Sequence, residues 1–470
     1  MPLVFALHWF VIRQRVRWQN ILIIVASYVF YGWWDWRFLS LILASSLVDF
    51  LLGLQLGKTE DTKRRKWYLW SSLAFNLGIL GFFKYYNFFV EQFVTAFSSM
   101  GVELQPQTLG IILPVGISFY TFQTLSYTID VYRRKLEPTK DWTVFFAYVA
   151  FFPQLVAGPI ERATNLIPQF SARRTFSYAQ AQDGMRQILW GLFKKIVIAD
   201  NCAVFVNSIF AGYEELGTIS LILGAVLFGF QIYCDFSGYS DIAIGTARLF
   251  GVQLMQNFAF PYFSRNIGEF WRRWHISLST WFRDYLYIPL GGSRVDSKGL
   301  LIRNILVIFV VSGFWHGANW TFIVWGALHA LFFLPSILRG TNRKHLGPVA
   351  EGRILPSGGE LLAMLTTFGL VCFSWIFFRS KDITEALAYV SGMFTHFTFD
   401  LYYLLKAKYL LLGIILLLVI EWRQRDRQHG LEFKEGEFGL QVRSLAYLST
   451  AMAILLFAPR EESVFIYFQF

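Results

Sequence analysis

The sequence predicts an all-α membrane protein that crosses the bilayer many times. Of its 470 residues, 55% are hydrophobic and only 16% are charged, whereas a soluble chain carries about 25% charged residues. The apolar residues are gathered into long runs, and a spanning helix needs about 20 mainly apolar residues. Roughly eleven to thirteen runs are long enough, or nearly so. They lie near 21–34, 38–56, 68–85, 109–129, 142–158, 188–211, 218–234, 301–314, 318–337, 361–378, 408–420 and 443–457.

The basic residues indicate how the chain is oriented in the bilayer. The net charge is +11, and the basic residues form clusters between apolar runs, as expected when cytoplasmic loops are positive. This patterning argues against nucleic-acid binding and for a multi-pass membrane protein with its basic loops in the cytoplasm. The loop near 98–107 has Glu103 and no Lys or Arg, as an exterior loop should. The clusters are 13–17, 58–66, 133–140, 173–174, 339–344 and 423–427.

The chain is expected to form one membrane domain over residues 1–470. Within it we expect a catalytic region at about 109–338, a hydrophilic loop at 340–358 and a plainer C-terminal group of helices at 359–470. No internal repeat is evident, which argues against many transporter folds. The first residues, 2–12, are too short to cross as a helix, so they form a re-entrant or surface helix or part of a longer span. The three cysteines form no metal or disulfide pattern, and no metal site is expected.

Two histidines lie in tryptophan-rich apolar segments. His275 is in WRRWHISLSTW and His316 in SGFWHGANW. An ionisable side chain costs free energy in a bilayer, so it is a candidate functional residue by default. Histidine also titrates near neutral pH and can accept a proton from a hydroxyl. Both histidines are therefore candidates for catalysis.

A polar stripe is predicted around His275. If this segment is one helix, steps of 3, 4 and 4 residues place four polar side chains on one face. Such a stripe lines a wet cavity or contacts lipid headgroups, and an interfacial amphipathic helix is the alternative. The four residues are Arg272, His275, Ser279 and Arg283.

Two more polar stripes lie in apolar segments. Tyr120 and Gln123 begin one that continues through Tyr127 and Asp130. Interhelical hydrogen bonding that only holds the bundle together is the alternative to a lining role.

The last stripe surrounds a Ser-Gly pair. Asp235, Tyr239 and Ser240 or Asp241 cluster around Ser237. The two aspartates need partners, which Arg248, Arg272 or Arg273 could supply. Ser237 is not in a Gly-x-Ser-x-Gly turn, so it is not predicted to be a nucleophile.

Chain geometry separates His316 from His329. Thirteen residues turn a continuous helix by about 220° and advance it by about 20 Å, so the two histidines cannot share a site if the helix is unbroken. His329 is therefore expected to be a packing or interfacial residue, whereas Asn319, three residues after His316, can flank it. A break in the apolar helical pattern is predicted at 152–162, where two prolines and a glycine indicate a re-entrant bend.

Six motifs, in this order, resemble the membrane-bound O-acyltransferases of the alginate O-acetylation type. The resemblance covers about residues 20–380, and the start of the chain looks shorter than in relatives with a complete first span. The motifs are YVFYGWWDWRF at 28–38, LPVGISFYTFQ at 113–123, FPQLVAGPI at 152–160, DFSGYSD at 235–241, FWRRWHISLS at 270–279 and WHG at 315–317.

The resemblance implies a multi-helix bundle with re-entrant segments around a central tunnel. It implies that His316 is catalytic and that His275 is its partner across the tunnel, with acyl donor entering from the cytoplasm. His316 would act as general base or transient acyl acceptor, and His275, Asn319 or a backbone N–H would hold the oxyanion. Arg272 and Arg283 are candidates for the coenzyme A phosphates.

The sequence thus predicts an O-acetyltransferase with no bound cofactor that uses acetyl-CoA as donor. The acceptor would be an exopolysaccharide or cell-wall glycan, and the expected partners are a periplasmic acetyltransferase, the polysaccharide biosynthesis machinery and the lipid bilayer. Alternatives are a D-alanyl, lipid or protein acyltransferase of the same family, a transporter or flippase, and a scaffold subunit.

Overall fold

A computed structural model describes residues 1–13, 15–398, 400–434, 436–459 and 465–466, and this part of the chain is helical without strands. The helices are α1 (Pro2–Ala6), α2 (Val16–Asp35), α3 (Leu39–Lys58), α4 (Thr62–Leu80), α5 (Tyr86–Ser99), α6 (Ile117–Tyr132), α7 (Trp142–Ala150), α8 (Phe152–Leu155), α9 (Ala163–Ser171), α10 (Tyr178–Leu192), α11 (Asp200–Ala211), α12 (Thr218–Leu249), α13 (Ile267–Arg273), α14 (Ile276–Phe282), α15 (Lys298–His316), α16 (Trp320–Leu338), α17 (Gly358–Arg379), α18 (Ile383–Thr395), α19 (Tyr402–Lys406), α20 (Lys408–Arg423) and α21 (Leu440–Phe457). Wider π-helical turns occupy Leu7–Val11, Gly81–Tyr85, Phe193–Ala199 and Arg283–Tyr287.

Seven helical stretches among the described residues are long and apolar enough to cross a membrane. The prediction of an all-α, multi-pass membrane protein is confirmed. Two predicted runs, 109–129 and 142–158, fold as shorter helices because non-helical residues and turns interrupt them. The seven stretches are Val16–Lys58, Thr62–Ser99, Thr218–Leu249, Lys298–His316, Trp320–Leu338, Gly358–Arg379 and Leu440–Phe457.

The chain divides into two compact units, of which the first comprises Met1–Gly184 and Thr246–Met255. A buried polar cluster joins three of its helices. The carboxylate of Asp49 on α3 accepts hydrogen bonds from Ser72 and Asn76 on α4 and from Thr128 on α6, the last two at 2.7 Å. A buried carboxylate is stabilised only when such donors surround it, so this cluster fixes how α3, α4 and α6 pack.

The second unit comprises Met185–Gly245 and Gln256–Phe470. Its α15 and α16 pack closely because glycines face each other where they cross. A Cβ on Gly326 would overlap the carbonyl oxygen of Phe309 and lie 3.4 Å from the Cα of Gly313, and a Cβ on Gly313 would overlap the carbonyl oxygen of Phe322. Small residues at a crossing let helix backbones approach in a membrane protein. This crossing lies one turn before His316.

Two lysines balance the aspartates of α12, where the sequence suggested arginines. Lys194 pairs with Asp241 at 2.6 Å, and Lys195 pairs with Asp235 at 2.8 Å. Both lysines lie in the π-helical turn Phe193–Ala199, which points neighbouring side chains toward α12. The prediction that Arg248, Arg272 or Arg273 supplies these partners is wrong.

The three arginines are engaged elsewhere. Arg248 pairs with Asp183, Arg273 pairs with Glu269 at 2.9 Å, and Arg272 donates to backbone carbonyls. Each arginine is therefore already part of a local contact, so the buried aspartates take the nearer lysines.

Residues 339–357 connect α16 to α17. Helix α17 begins with a capping box, in which Ser357 accepts from the backbone of Glu360 and the Glu360 carboxylate accepts from the backbone of Ser357. This reciprocal cap satisfies two amide groups at the helix start.

Candidate functional site

The chain around His275 is two short helices with a break between them. Helix α13 ends at Arg273, and α14 begins at Ile276 with His275 as its N-cap residue, at φ 44° and ψ 54°. This left-handed conformation is rare for a residue with a side chain and costs about 1–3 kcal/mol, so surrounding contacts must hold it. The prediction of one helix with Arg272, His275, Ser279 and Arg283 on a common face is therefore wrong in its geometry.

Asn257 holds the His275 ring. His275 is fully buried, and its Nδ1 lies 3.1 Å from the Oδ1 of Asn257. The same oxygen accepts from the Ser277 hydroxyl at 2.8 Å and the Ser277 amide at 3.3 Å, while Asn257 Nδ2 donates to Ser240 at 3.1 Å. His275 lies outside the seven candidate spans, and burial lowers its pKa to about 3. The imidazole is therefore neutral near pH 7.

His316 is the last residue of α15 and lies next to His275. Its ring centroid is 6.4 Å from that of His275, and it is 5% exposed. The rings of Trp325 and Phe378 lie 5.1 and 5.5 Å from it. The structure thus brings together, inside an enclosure of aromatic rings, the two histidines that the sequence singled out.

His329 has a structural role. Helix α15 ends at His316 and α16 begins at Trp320, so the unbroken helix assumed for the geometric separation does not exist. Trp325 lies between the two rings, 4.9 Å from His329 and 5.1 Å from His316. Trp271 Nε1 lies 3.3 Å from His329 Nδ1, and the Ser374 hydroxyl lies 2.9 Å from Nε2. With both nitrogens hydrogen-bonded, His329 is committed to packing.

A cavity of about 590 Å³ lies beside α15. Arg272, Ser279 and Arg283 line it, so three of the four stripe residues face one space although the helix is broken. Ser312, one turn before His316, also lines the cavity, and so does Arg343. The remaining walls are mainly apolar, which suits a long ligand with a charged end.

Asn319 serves as a helix cap. Its Oδ1 accepts from the Thr321 amide at 3.1 Å, and its Nδ2 donates to the Lys381 carbonyl at 2.8 Å. The side chain is thus occupied in holding the start of α16. The structure gives no support to an additional role in binding an oxyanion.

The residues of the DFSGYSD motif form a buried polar cluster on α12. Lys194 donates to the Ser237 hydroxyl at 2.9 Å as well as pairing with Asp241, which also accepts from Gln187 at 2.8 Å. The ring of Tyr239 packs against Phe465 at 5.2 Å. Asp235 accepts from the backbone of Ile466 at 2.8 Å. These contacts join parts of the second unit, and the cluster reaches His275 through Ser240 and Asn257.

Tyr120 and Gln123 lie on α6 in the first unit. Both are buried, at 1% and 2% exposure. Within the described part of the chain, the Tyr120 hydroxyl and the Gln123 Nε2 have no hydrogen-bond partner. Buried polar groups are usually paired, so these two are candidates to face water or a ligand.

Asn257, Lys194 and Lys195 were missed from the sequence. Asn257 follows α12 in a Phe-rich segment, where a single amide has no distinctive pattern. The lysine pair did carry a signal, because two charges inside an apolar run mark a functional or paired site. Counting those charges against the two aspartates of α12 would have predicted the pairing.

The fold and site define a polytopic membrane protein with a buried histidine pair near a ligand-sized cavity. A profile of the membrane-bound O-acyltransferase family matches residues 139–373. The chain is 37% identical to the probable alginate O-acetylase AlgI of Pseudomonas putida, over 97% of this chain and 95% of that protein. It is 41% identical to the protein of the same name from Pseudomonas syringae, over 81% and 70% of the two chains.

A third relative carries a different name. The peptidoglycan O-acetyltransferase of Helicobacter pylori is 36% identical, over 79% of this chain and 73% of that protein. The chain belongs to the membrane-bound O-acyltransferase family, and it is an acyltransferase enzyme embedded in the membrane.

Proposed function

We propose that the protein takes acetyl groups from cytoplasmic acetyl-CoA and passes them through the bacterial inner membrane for O-acetylation of an exopolysaccharide or cell-wall glycan. His316 is the general base in this proposal and His275 assists it. The observation that carries it is the 6.4 Å approach of the two buried imidazole rings. The relatives support acetyl as the transferred group, since the names of all three specify O-acetylation.

The proposed reaction is acyl transfer from a thioester to a hydroxyl, with His316 as the general base. His316 removes the proton of the acceptor hydroxyl as its oxygen attacks the thioester carbonyl, and a C–O bond forms. The oxyanion then collapses and the C–S bond breaks. The thiolate that leaves takes up the proton that His316 carries, which restores neutral His316 and gives free coenzyme A. General-base assistance contributes about 10²- to 10⁴-fold to such a step. The enclosure of Trp325 and Phe378 excludes water, which protects the thioester from hydrolysis.

The 590 Å³ cavity is the proposed site of the donor. Its apolar walls match the pantetheine arm, and Arg272, Arg283 and Arg343 match the phosphates. Arg343 belongs to the basic cluster 339–344, which the positive-inside pattern assigns to the cytoplasm. A donor that entered there would extend along α15 toward Ser312 and His316. The buried polar cluster of α12 is a candidate for lining the acceptor's path.

A periplasmic acetyltransferase would complete the transfer to the glycan, within the polysaccharide biosynthesis machinery. Co-purification of such a protein with the membrane enzyme from a bacterial envelope checks this proposal. Its absence from a complex that still acetylates the glycan would contradict it.

The test uses purified protein in liposomes with labelled acetyl-CoA. We expect free coenzyme A to be released at a rate that an alginate oligosaccharide increases, and His316→Ala to reduce this rate by at least about 10²-fold. A transporter would move substrate without forming free coenzyme A. His329→Ala is the matched control, because this histidine is also buried among aromatic rings but is hydrogen-bonded through both nitrogens. Equal rates for His316→Ala and wild-type protein would refute the role of His316.

A further inference from the structure

We infer that Asn257 is a positioning residue that holds His275 in a single tautomer, with the proton on Nδ1 and the lone pair on Nε2. The inference rests on the proposed function, in which His275 assists the transfer. It specifies that His275 acts through Nε2, and that Asn257 selects this tautomer.

The orientation of the Asn257 amide is fixed by a backbone donor. The Ser277 N–H lies 3.3 Å from the amide atom that faces His275, and a backbone N–H can only donate. That atom is therefore the oxygen Oδ1. The Asn257 Nδ2 then faces the Ser240 hydroxyl at 3.1 Å, where it donates.

The tautomer follows from that oxygen. A neutral imidazole has one N–H and one lone pair, and a nitrogen 3.1 Å from an acceptor oxygen must carry the proton. Nδ1 of His275 is thus the donor and Nε2 the acceptor. The backbone supports the arrangement, because the Ile276 amide donates to the Asn257 carbonyl at 2.9 Å. The side chain and the main chain of one asparagine therefore hold this turn.

The surroundings of the ring favour the neutral form. Phe236 on α12, Phe258 in the following loop, and Trp315 on α15 pack against His275 at ring distances of 4.7, 6.4 and 6.2 Å. His316, whose ring centroid lies 6.4 Å away, is a titratable neighbour of this ring. A fixed, neutral imidazole offers the Nε2 lone pair as a hydrogen-bond acceptor that orients a hydroxyl for His316, without first having to change tautomer.

Two substitutions test the inference, with coenzyme A release from acetyl-CoA and an alginate oligosaccharide as the readout. Asn257→Leu removes both amide groups and should lower kcat per folded enzyme by about 10²-fold, while KM for acetyl-CoA stays constant. Asn257→Asp keeps the acceptor but adds a negative charge, which favours the imidazolium. The acidic limb of the kcat–pH profile should then move up by about 1–3 pH units. A purely structural asparagine would not move this limb.

The matched control is Asn20→Leu. Asn20 is equally buried, donates to the Phe170 carbonyl and accepts from Arg174, but has no histidine partner. It should lower the yield of folded protein and leave kcat unchanged. Wild-type kcat in folded Asn257→Leu, or an unshifted acidic limb in Asn257→Asp, would overturn the inference.

His275→Asn separates this inference from the proposed function. If His275→Asn retains wild-type kcat, the proposed role of His275 fails. If His275→Asn is inactive while Asn257→Leu is fully active, only the positioning role of Asn257 fails.

Discussion

The buried ion pair of Lys194 and Asp241 should be strongly coupled in energy. Its atoms are 2.6 Å apart, and the two side chains are 4% and 11% exposed. At an effective dielectric constant of about 20, this separation corresponds to an attraction of about 6 kcal/mol, which desolvation partly offsets. Lys194→Met leaves the Asp241 carboxylate with Gln187 alone and should reduce the free energy of unfolding by about 3–5 kcal/mol.

A double-mutant cycle measures the coupling. Purified Lys194→Met, Asp241→Asn and the double variant are unfolded with sodium dodecyl sulfate in mixed micelles, and fluorescence of the 17 tryptophans reports the fraction folded. Asp241→Asn retains an oxygen that accepts from Gln187. The double variant should be less destabilised than the sum of the single variants by at least about 2 kcal/mol. Single effects that add within about 0.5 kcal/mol would refute the reasoning.

The matched control is Arg64→Met. Arg64 pairs with Asp61 at 3.6 Å, and the two side chains are 73% and 51% exposed. An exposed ion pair contributes about 0–1 kcal/mol because solvent screens it. If Lys194→Met and Arg64→Met reduce the free energy of unfolding by comparable amounts, burial does not set the strength of these ion pairs.

Two further substitutions test the helix crossing and the donor cavity. Gly326→Ala should destabilise the protein by about 1–3 kcal/mol in the same titration, because the methyl group overlaps the Phe309 carbonyl oxygen, while Gly369→Ala, with no atom nearby, should not destabilise it. Equal stability of the two variants would contradict the tight crossing. Arg343→Ala should raise KM for acetyl-CoA about three- to tenfold at constant kcat, whereas Arg294→Ala, outside the cavity, should leave KM unchanged. An unchanged KM in Arg343→Ala would remove Arg343 from the donor site.

The features that the sequence predicts well are those set by local composition. Long apolar runs specify helices in a bilayer because unpaired backbone groups are too costly there. The tryptophan-rich segments likewise point to His275 and His316, since an ionisable side chain in an apolar segment costs free energy and is therefore a candidate functional residue. Fold class and the leading histidine pair follow from these two rules.

The features that the sequence predicts poorly are the helix breaks. Nothing in WRRWHISLS marks His275 as a left-handed residue, because neither glycine nor proline is present and the break depends on Asn257, eighteen positions earlier. The break after His316 is also set by packing, where Phe322 leaves no room for a Cβ on Gly317. Periodicity alone therefore extends a helix through both breaks.

Partners distant in sequence form the other group of errors. Lys194 and Asp241 are 47 residues apart, and only the packing of the Phe193–Ala199 turn against α12 joins them. The arginines nearer in sequence are equally suitable by charge, because charge alone does not specify distance. Tertiary structure decides which of several cations reaches a buried carboxylate.

The left-handed backbone at His275 has an evolutionary consequence. Asparagine and glycine adopt this conformation more readily than other residues. A histidine codon becomes an asparagine codon through one base change. A descendant of this enzyme can thus lose the imidazole and keep the turn. The left-handed backbone and the imidazole at position 275 are therefore separable features, because one substitution can remove the imidazole without removing the turn.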